Sequence, residues 1–248
     1  MTARLDKCVT LLAVALAAGL ALGWGAAPAG AAGLLIADGG FGGVLKIQEH
    51  DVKVTINNGV SVTEVNQVFL NTENRIVEAL YVFPVPEDAS VANFSMWIEG
   101  REMIGEVVER QRAREIYNSY KQQRRDPGLL EQVNYKRFEM RIFPIAAGAQ
   151  QRVRVTYYQE LQVDKDWATY VYPLATQLHR AGDETTSGKF ALSLEAKSAV
   201  PIVEMESPSH DDEFAIVRHT DRFYQASLET SGGNLRRDVV LAYRVERA

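Results

Sequence analysis

A side-chain alternation of period two recurs along this chain and restricts it, before anything else, to antiparallel sheet. Val52, Val54 and Ile56 alternate with Asp51, Lys53, Thr55 and Asn57, giving one aliphatic face and one polar face. Asn58-Gly59 follows, two residues that adopt positive φ cheaply, and predicts a tight hairpin. On the return run Val60 and Val62 are in one phase, and Val65, Gln67 and Phe69 in the other, so a bulge is expected near Thr63-Glu64. The same alternation returns at Val153, Val155 and Tyr157, at Phe190, Leu192 and Leu194, and at Val239, Leu241, Tyr243 and Val245. Three runs end on an aromatic-proline step (Phe83-Pro84, Phe143-Pro144 and Tyr172-Pro173), where the missing N–H ends a ladder.

One stretch breaks the pattern. Between Glu102 and Gln123 the apolar residues Ile104, Val107, Val108, Ile116, Tyr117 and Tyr120 fall on one helical stripe. Acidic residues lie near its start and basic ones at its end, and Asp126-Pro127-Gly128 stops it. The expected fold is mostly β, an antiparallel β-sandwich-like domain with one packed α-helix, followed by a β-rich extension. Arg110, Arg112, Arg114, Arg124 and Arg125 make a basic helix face, either simply solvated or a docking surface for an acidic partner.

The N-terminus reads differently. Arg4 and Lys7 precede an apolar run from Cys8 to Leu22, and Ala27-Pro28-Ala29 and Ala29-Gly30-Ala31 are overlapping A-x-A patterns. That is the layout of a secretory leader over residues 1–31, cleaved between Ala29 and Ala32; the alternative is an uncleaved membrane anchor. Cys8, the single cysteine, lies inside it, so the remainder has no disulfide, thiol nucleophile or thiolate metal site. A net charge of −5 argues against a nucleic-acid partner, which would want a basic face. Asp38 to Gly43 is a flexible glycine-rich entry, residues 44–175 are the main domain, and residues 189–248 form the β-rich segment beyond a polar break.

Candidate chemistry is sparse. His210-Asp211-Asp212-Glu213 with His219 is the densest group of potential metal ligands, but adjacent strand residues diverge, so a solvated acidic loop is expected. Asp183, Thr185 and Ser187 have the spacing of a cation-binding string without the buried strand that would aim their oxygens. His50 and His179 stand alone, and no phosphate-binding loop is present. The alternatives to a non-catalytic interaction module are a hydrolase using carboxylates such as Glu78 and Glu131, or a subunit of a larger adhesive assembly whose exposed apolar β edges pair with a partner chain.

The order of segments is specific. Val65-Asn66-Gln67-Val68-Phe69-Leu70-Asn71 precedes Glu78-Ala79-Leu80-Tyr81-Val82-Phe83-Pro84-Val85-Pro86; Gly105-Glu106, Leu129-Leu130-Glu131-Gln132, Ile142-Phe143-Pro144 and Tyr157-Tyr158 follow. This resembles the vault protein inter-alpha-trypsin (VIT) domain, as in inter-alpha-trypsin inhibitor heavy chains and bacterial surface proteins. The resemblance implies a β-sandwich with a helix opened by Gly105-Glu106. Together with the sparse candidate chemistry, the expectation is a non-catalytic structural or interaction module with no cofactor, no metal and a protein partner, and the leader implies export to the periplasm, cell envelope or medium. Membrane contact is expected only through an uncleaved leader. In that family a von Willebrand A domain usually follows, and Phe190–Val245 resembles the link to it; the A domain itself is not expected here.

Overall fold

The computed structural model describes residues 33–86, 88–98, 100–105, 129–134, 137–174, 188–231 and 238–246. In chain order the strands are β1 Leu34–Ile36, β2 Lys46–Asn57, β3 Val60–Leu70, β4 Val77–Pro84, β5 Ala89–Ile98, β6 Arg101–Gly105, β7 Leu129–Asn134 and β8 Arg137–Ile145. They continue as β9 Gln150–Glu160, β10 Gln162–Asp164, β11 Trp167–Tyr172, β12 Lys189–Lys197, β13 Ile202–Glu206, β14 Ala215–Thr220, β15 Phe223–Ser231 and β16 Val239–Val245. One helical turn, α1 Ala37–Gly40, follows β1.

The strands form an eight-stranded sheet, β14-β15-β12-β2-β3-β9-β5-β6, and two four-stranded sheets, β1-β4-β8-β7 and β10-β11-β16-β13. Both small sheets pack on the same face of the large one, against inward side chains such as Phe69 and Tyr157. β12 runs parallel to β2, pairing Leu192 with Val52 and Leu194 with Val54. Residues from β1 to β16 therefore share one apolar core, of which Leu35, Val54, Phe69, Tyr81, Tyr170 and Val239 are members. Each large side chain so buried contributes about 1.5–3 kcal/mol.

The mostly-β sandwich is as expected, and the β2–β3 hairpin turns on Asn58 (φ 50°) and Gly59 (φ 82°), both left-handed as a two-residue turn of this kind requires. Three local expectations are corrected. β3 does not change phase at Thr63-Glu64: Ser61, Thr63, Val65, Gln67 and Phe69 all face inward, and Val60 and Val62 face out. Ser61 and Thr63 are hydroxyl residues that by type alone read as solvent-facing, yet both are buried. The bulge lies across the pair, at Gln48 of β2, where Ile47 opposes Phe69 and Glu49 opposes Val68. Residues 102–105 do not begin a helix. Gly100 (φ 79°) turns the chain back and β6 pairs with β5, Glu102 opposite Trp97 and Ile104 opposite Ser95. Cross-strand pairing outweighs the helical stripe there, and the rest of the expected helix, Ile116, Tyr117 and Tyr120 included, lies outside the described residues.

The glycine-rich entry is also folded. Leu34 and Leu35 are buried on β1, which pairs with β4. Asp38 (φ 54°) and Gly39 (φ 65°) then wind α1 through left-handed conformations, closed by Gly42 N–H donating to the Ala37 carbonyl at 2.8 Å. Arg75 holds this turn from outside, both guanidinium nitrogens bonding the Asp38 carboxylate at 2.8 and 2.9 Å.

Candidate functional site

The inward face of the large sheet carries polar side chains where alternation calls for aliphatic ones. His50 on β2 and Gln67 on β3 oppose each other in register, and Thr63 lies four residues before Gln67 on the same face. The small sheets supply their partners. Tyr81 of β4 donates to Gln67 Oε1 at 2.7 Å, and the Gln67 amide donates to the Gly33 carbonyl at 2.9 Å. From the other small sheet, the Tyr172 hydroxyl lies 2.7 Å from His50 Nε2, and the Tyr170 hydroxyl 3.0 Å from Thr63 Oγ1. Phe190 of β12 packs edge-on against the His50 ring, centroids 5.2 Å apart. Gly33 is required where it stands, because a Cβ there would strike Gln67 Oε1, the Tyr81 hydroxyl and the Phe83 ring.

The network assigns the histidine tautomer. Gln67 presents its oxygen to Tyr81 and its nitrogen to Gly33, so the second amide hydrogen faces His50 Nδ1, 3.5 Å away. Nδ1 is thus the acceptor and Nε2–H donates to Tyr172. Burial lowers the His50 pKa from 6.5 to about 3, and the ring is neutral. Burial also pushes Tyr157 up to about 12 and holds Tyr81, Tyr170 and Tyr172 well above the usual phenol value. His50, Gln67, Thr63 and these tyrosines are 0–1% exposed. Such an arrangement fastens three sheets together through neutral hydrogen bonds; it offers no approach to a substrate.

The residues singled out from sequence are dispersed. Glu78 on β4 lies 3.4 Å from Arg141 of β8. Glu131 on β7 opposes Glu139, itself opposite Val82, so its backbone is two strands away from β4 and four residues along from Glu78. At ~3.3 Å per residue and ~4.8 Å per strand, the two positions are roughly 16 Å apart. His210 is buried, unlike the solvated loop expected, with its Nδ1 2.7 Å from Ser209 Oγ and its ring edge-on to Phe214; Asp211, Asp212 and Glu213 are exposed as expected. Ser207 Oγ donates to the Val240 carbonyl at 2.9 Å and Ser209 Oγ accepts from the Val240 N–H at 2.7 Å. This loop therefore clasps β16 beyond the end of β13. His219 is separate, bonded to Gln225 at 2.6 Å and stacked on Phe223. Among the described residues no three His, Cys, Asp or Glu side chains come together. Arg110, Arg112, Arg114, Arg124 and Arg125, His179, and Asp183, Thr185 and Ser187 lie outside the described residues.

The opposite face of the large sheet carries two adjoining shallow grooves of about 260 Å³ each. Lys53, Ser193 and Ser227 line both, with Glu195 and Gln225 on one side and Asp51 and Asn66 on the other.

Residues 47–157 match the model of the vault protein inter-alpha-trypsin domain. This chain carries a VIT domain. Rat von Willebrand factor A domain-containing protein 5A is 29% identical over 130 residues, 51% of this chain and 16% of that protein. Mouse protein mono-ADP-ribosyltransferase PARP4 is 26% identical over 122 residues, 49% of this chain and 6% of that protein. The chain thus spans a small part of the curated relatives it matches. Among solved structures, a Legionella pneumophila protein assigned to nutrient binding superimposes with a TM-score of 0.54 at 12% identity, over 87% of this chain and 70% of its own. That likeness is one of fold.

The VIT signature residues now have physical roles. Gln67 joins β3 to β4 and to Gly33, and Phe69 packs edge-on against Tyr81. Asn71, fully buried, donates to the carbonyls of Arg75, Ile145 and Ala146 and accepts from Glu73 N–H, closing the β3–β4 connection. Tyr81 stacks on Phe83, whose ring is tilted against that of Tyr157. Sequence reasoning quoted these residues as a motif but missed His50, Thr63 and Tyr170 as their neighbours. The available signal was a polar residue at an inward position beside valines.

Proposed function

We propose that this chain is an exported, non-catalytic protein-binding module of the cell envelope, in which the VIT domain is a rigid scaffold presenting the outer face of the large sheet. The observation that carries the reading is the placement of the VIT polar signature: Gln67, Asn71 and Tyr81 are consumed in core hydrogen bonds. Function is thereby left to exposed surface, where strands offer edges and grooves to another polypeptide. The leader-like residues 1–31 support export. The rat and mouse relatives embed the matching segment in much longer chains, which supports a role beside other domains.

The test has two arms in a bacterial host. Fractionation with intact-mass measurement should find the chain outside the cytoplasm, beginning between residues 30 and 32. Photo-crosslinking residues placed at Ser193 and Ser227 should join it to a distinct polypeptide, while one at the exposed turn residue Lys165 should not. A cytoplasmic chain with Met1 intact refutes export, and absence of crosslinks from the groove positions refutes the binding face.

A further inference from the structure

We propose that Asn58-Gly59 is a covalent modification site, at which the Gly59 nitrogen attacks the Asn58 side-chain amide, and that the folded chain holds this site closed. The step Asn-Gly occurs once in the sequence. It forms the β2–β3 turn, with Asn58 exposed, between the paired residues Asn57 and Val60. Glycine has no Cβ to shield its nitrogen or to restrict its backbone, so the step is open to this reaction whenever the turn is unrestrained. The Gly59 N–H gives its proton to solvent, its nitrogen bonds to Asn58 Cγ, and ammonia leaves, closing a five-membered imide. Water then opens the ring at either carbonyl and leaves aspartate or isoaspartate. The sum is amide plus water to acid plus ammonia.

The turn opposes that chemistry at both reacting ends. Asn58 and Gly59 are left-handed, with φ 50° and 82°. In a two-residue turn of that class ψ at the first residue is about +30°, which sets the Gly59 nitrogen nearly opposite Cβ across the Asn58 Cα–C bond. Ring closure needs the two nearly eclipsed, a rotation of roughly 150° from that turn geometry. Neighbouring segments fix the turn against it. Asn58 N–H donates to the Lys197 carbonyl at 3.0 Å, and the Gly59 carbonyl accepts from Leu161 N–H at 2.8 Å. Asn58 Oδ1 accepts from Ala199 N–H at 2.6 Å, and Tyr243 of β16 shares a hydrogen bond with the Gly59 backbone. Lys197 ends β12 and Ala199 follows it, while Leu161 links β9 to β10, so the turn is released only when those connections lift. Conversion therefore records local opening. The two products differ in consequence. Aspartate keeps an oxygen for Ala199, whereas isoaspartate adds a backbone carbon, and the two-residue turn that sets the register of β2 on β3 is lost.

The experiment incubates the full chain at pH 8.5 and 37 °C, then digests it and separates the amide, aspartate and isoaspartate forms of the turn peptide by chromatography and mass. In urea, wild type should convert at least about tenfold faster than when folded, since folding suppresses a reaction that needs an open segment. Ala199→Pro removes the N–H on Asn58 Oδ1 and Tyr243→Phe removes the hydroxyl at Gly59; each should speed conversion in the folded chain. Gly33→Ala disturbs the core at Gln67 and Tyr81 without touching the turn, and should leave the folded rate unchanged. Equal rates folded and in urea, no conversion in urea, no acceleration by either turn variant, or equal acceleration by Gly33→Ala overturns the proposal. These outcomes are independent of export and of groove crosslinks, so either reading can fail alone.

Discussion

Acid should unfold this protein through His50. The ring is neutral and sealed between three sheets, with its pKa lowered from 6.5 to about 3 by burial. The groups packed on it are the Tyr172 hydroxyl, the Gln67 amide and the Phe190 ring, none of which would welcome a cation. The sign follows from proton uptake. Above pH 6.5 neither folded nor unfolded chain binds a proton at His50, and stability is unaffected. Between pH 6.5 and about 3 the unfolded chain binds one and the folded chain does not, so stability falls as pH falls. Each pH unit removes up to about 1.4 kcal/mol, hence roughly 2 kcal/mol by pH 5 and roughly 5 kcal/mol by pH 3, against a total of about 5–15 kcal/mol for a typical domain. Urea unfolding of wild type and His50→Gln at pH 7.5 and 5.0 isolates the effect, since every carboxylate is common to both. At pH 7.5 wild type should be more stable by ~1–3 kcal/mol, the cost of disturbing the Tyr172 bond. At pH 5.0 that gap should close. A gap of equal size at both pH values would show that His50 does not titrate on unfolding, and the reasoning would fail.

Two further substitutions probe the same network. Gly33→Ala places a methyl group against Gln67 Oε1, the Tyr81 hydroxyl and the Phe83 ring, and should cost about 1–3 kcal/mol in thermal unfolding; an unchanged melting temperature would mean that Gly33 is not clamped there. Thr63→Val keeps the shape but removes the partner of the buried Tyr170 hydroxyl, so a loss of about 1–3 kcal/mol is expected by chemical denaturation, whereas Val62→Thr on the outward face should cost little.

Strand by strand, the sequence told most where burial and alternation agree. β2, β9, β12 and β16 declare their inward faces through Val52, Val54, Val153, Val155, Leu192 and Leu241, all buried. It misled where a buried position is polar. Thr63 and Ser61 read as solvent-facing because single-sequence alternation weighs a hydroxyl by its type, while its partner, Tyr170 or the Gln159 carbonyl, is about a hundred residues away. β1 escaped because three residues are too few for a period, and its order comes from β4. At Glu102–Gly105 a helical stripe and a strand pattern coexist, and only the hairpin at Gly100 decides. The network at His50 was illegible as a site for the same reason: its members come from β2, β3, β4 and β11, and distance in sequence hides them.

The parallel seating of β12 beside β2 bears on how this family segment can be handled as a unit. Residues 47–157 behave as a cassette in sequence comparison, but cut out alone they would bare the long flank of β2 and lift β11, with Tyr170 and Tyr172, off Thr63 and His50. A graft or expression fragment with those limits would carry an open, valine-rich edge, which is a template for aggregation. The transferable unit is therefore larger than the recognisable one, running from β1 through β16, and engineering with this scaffold should place its junctions outside Gly33 and Glu246.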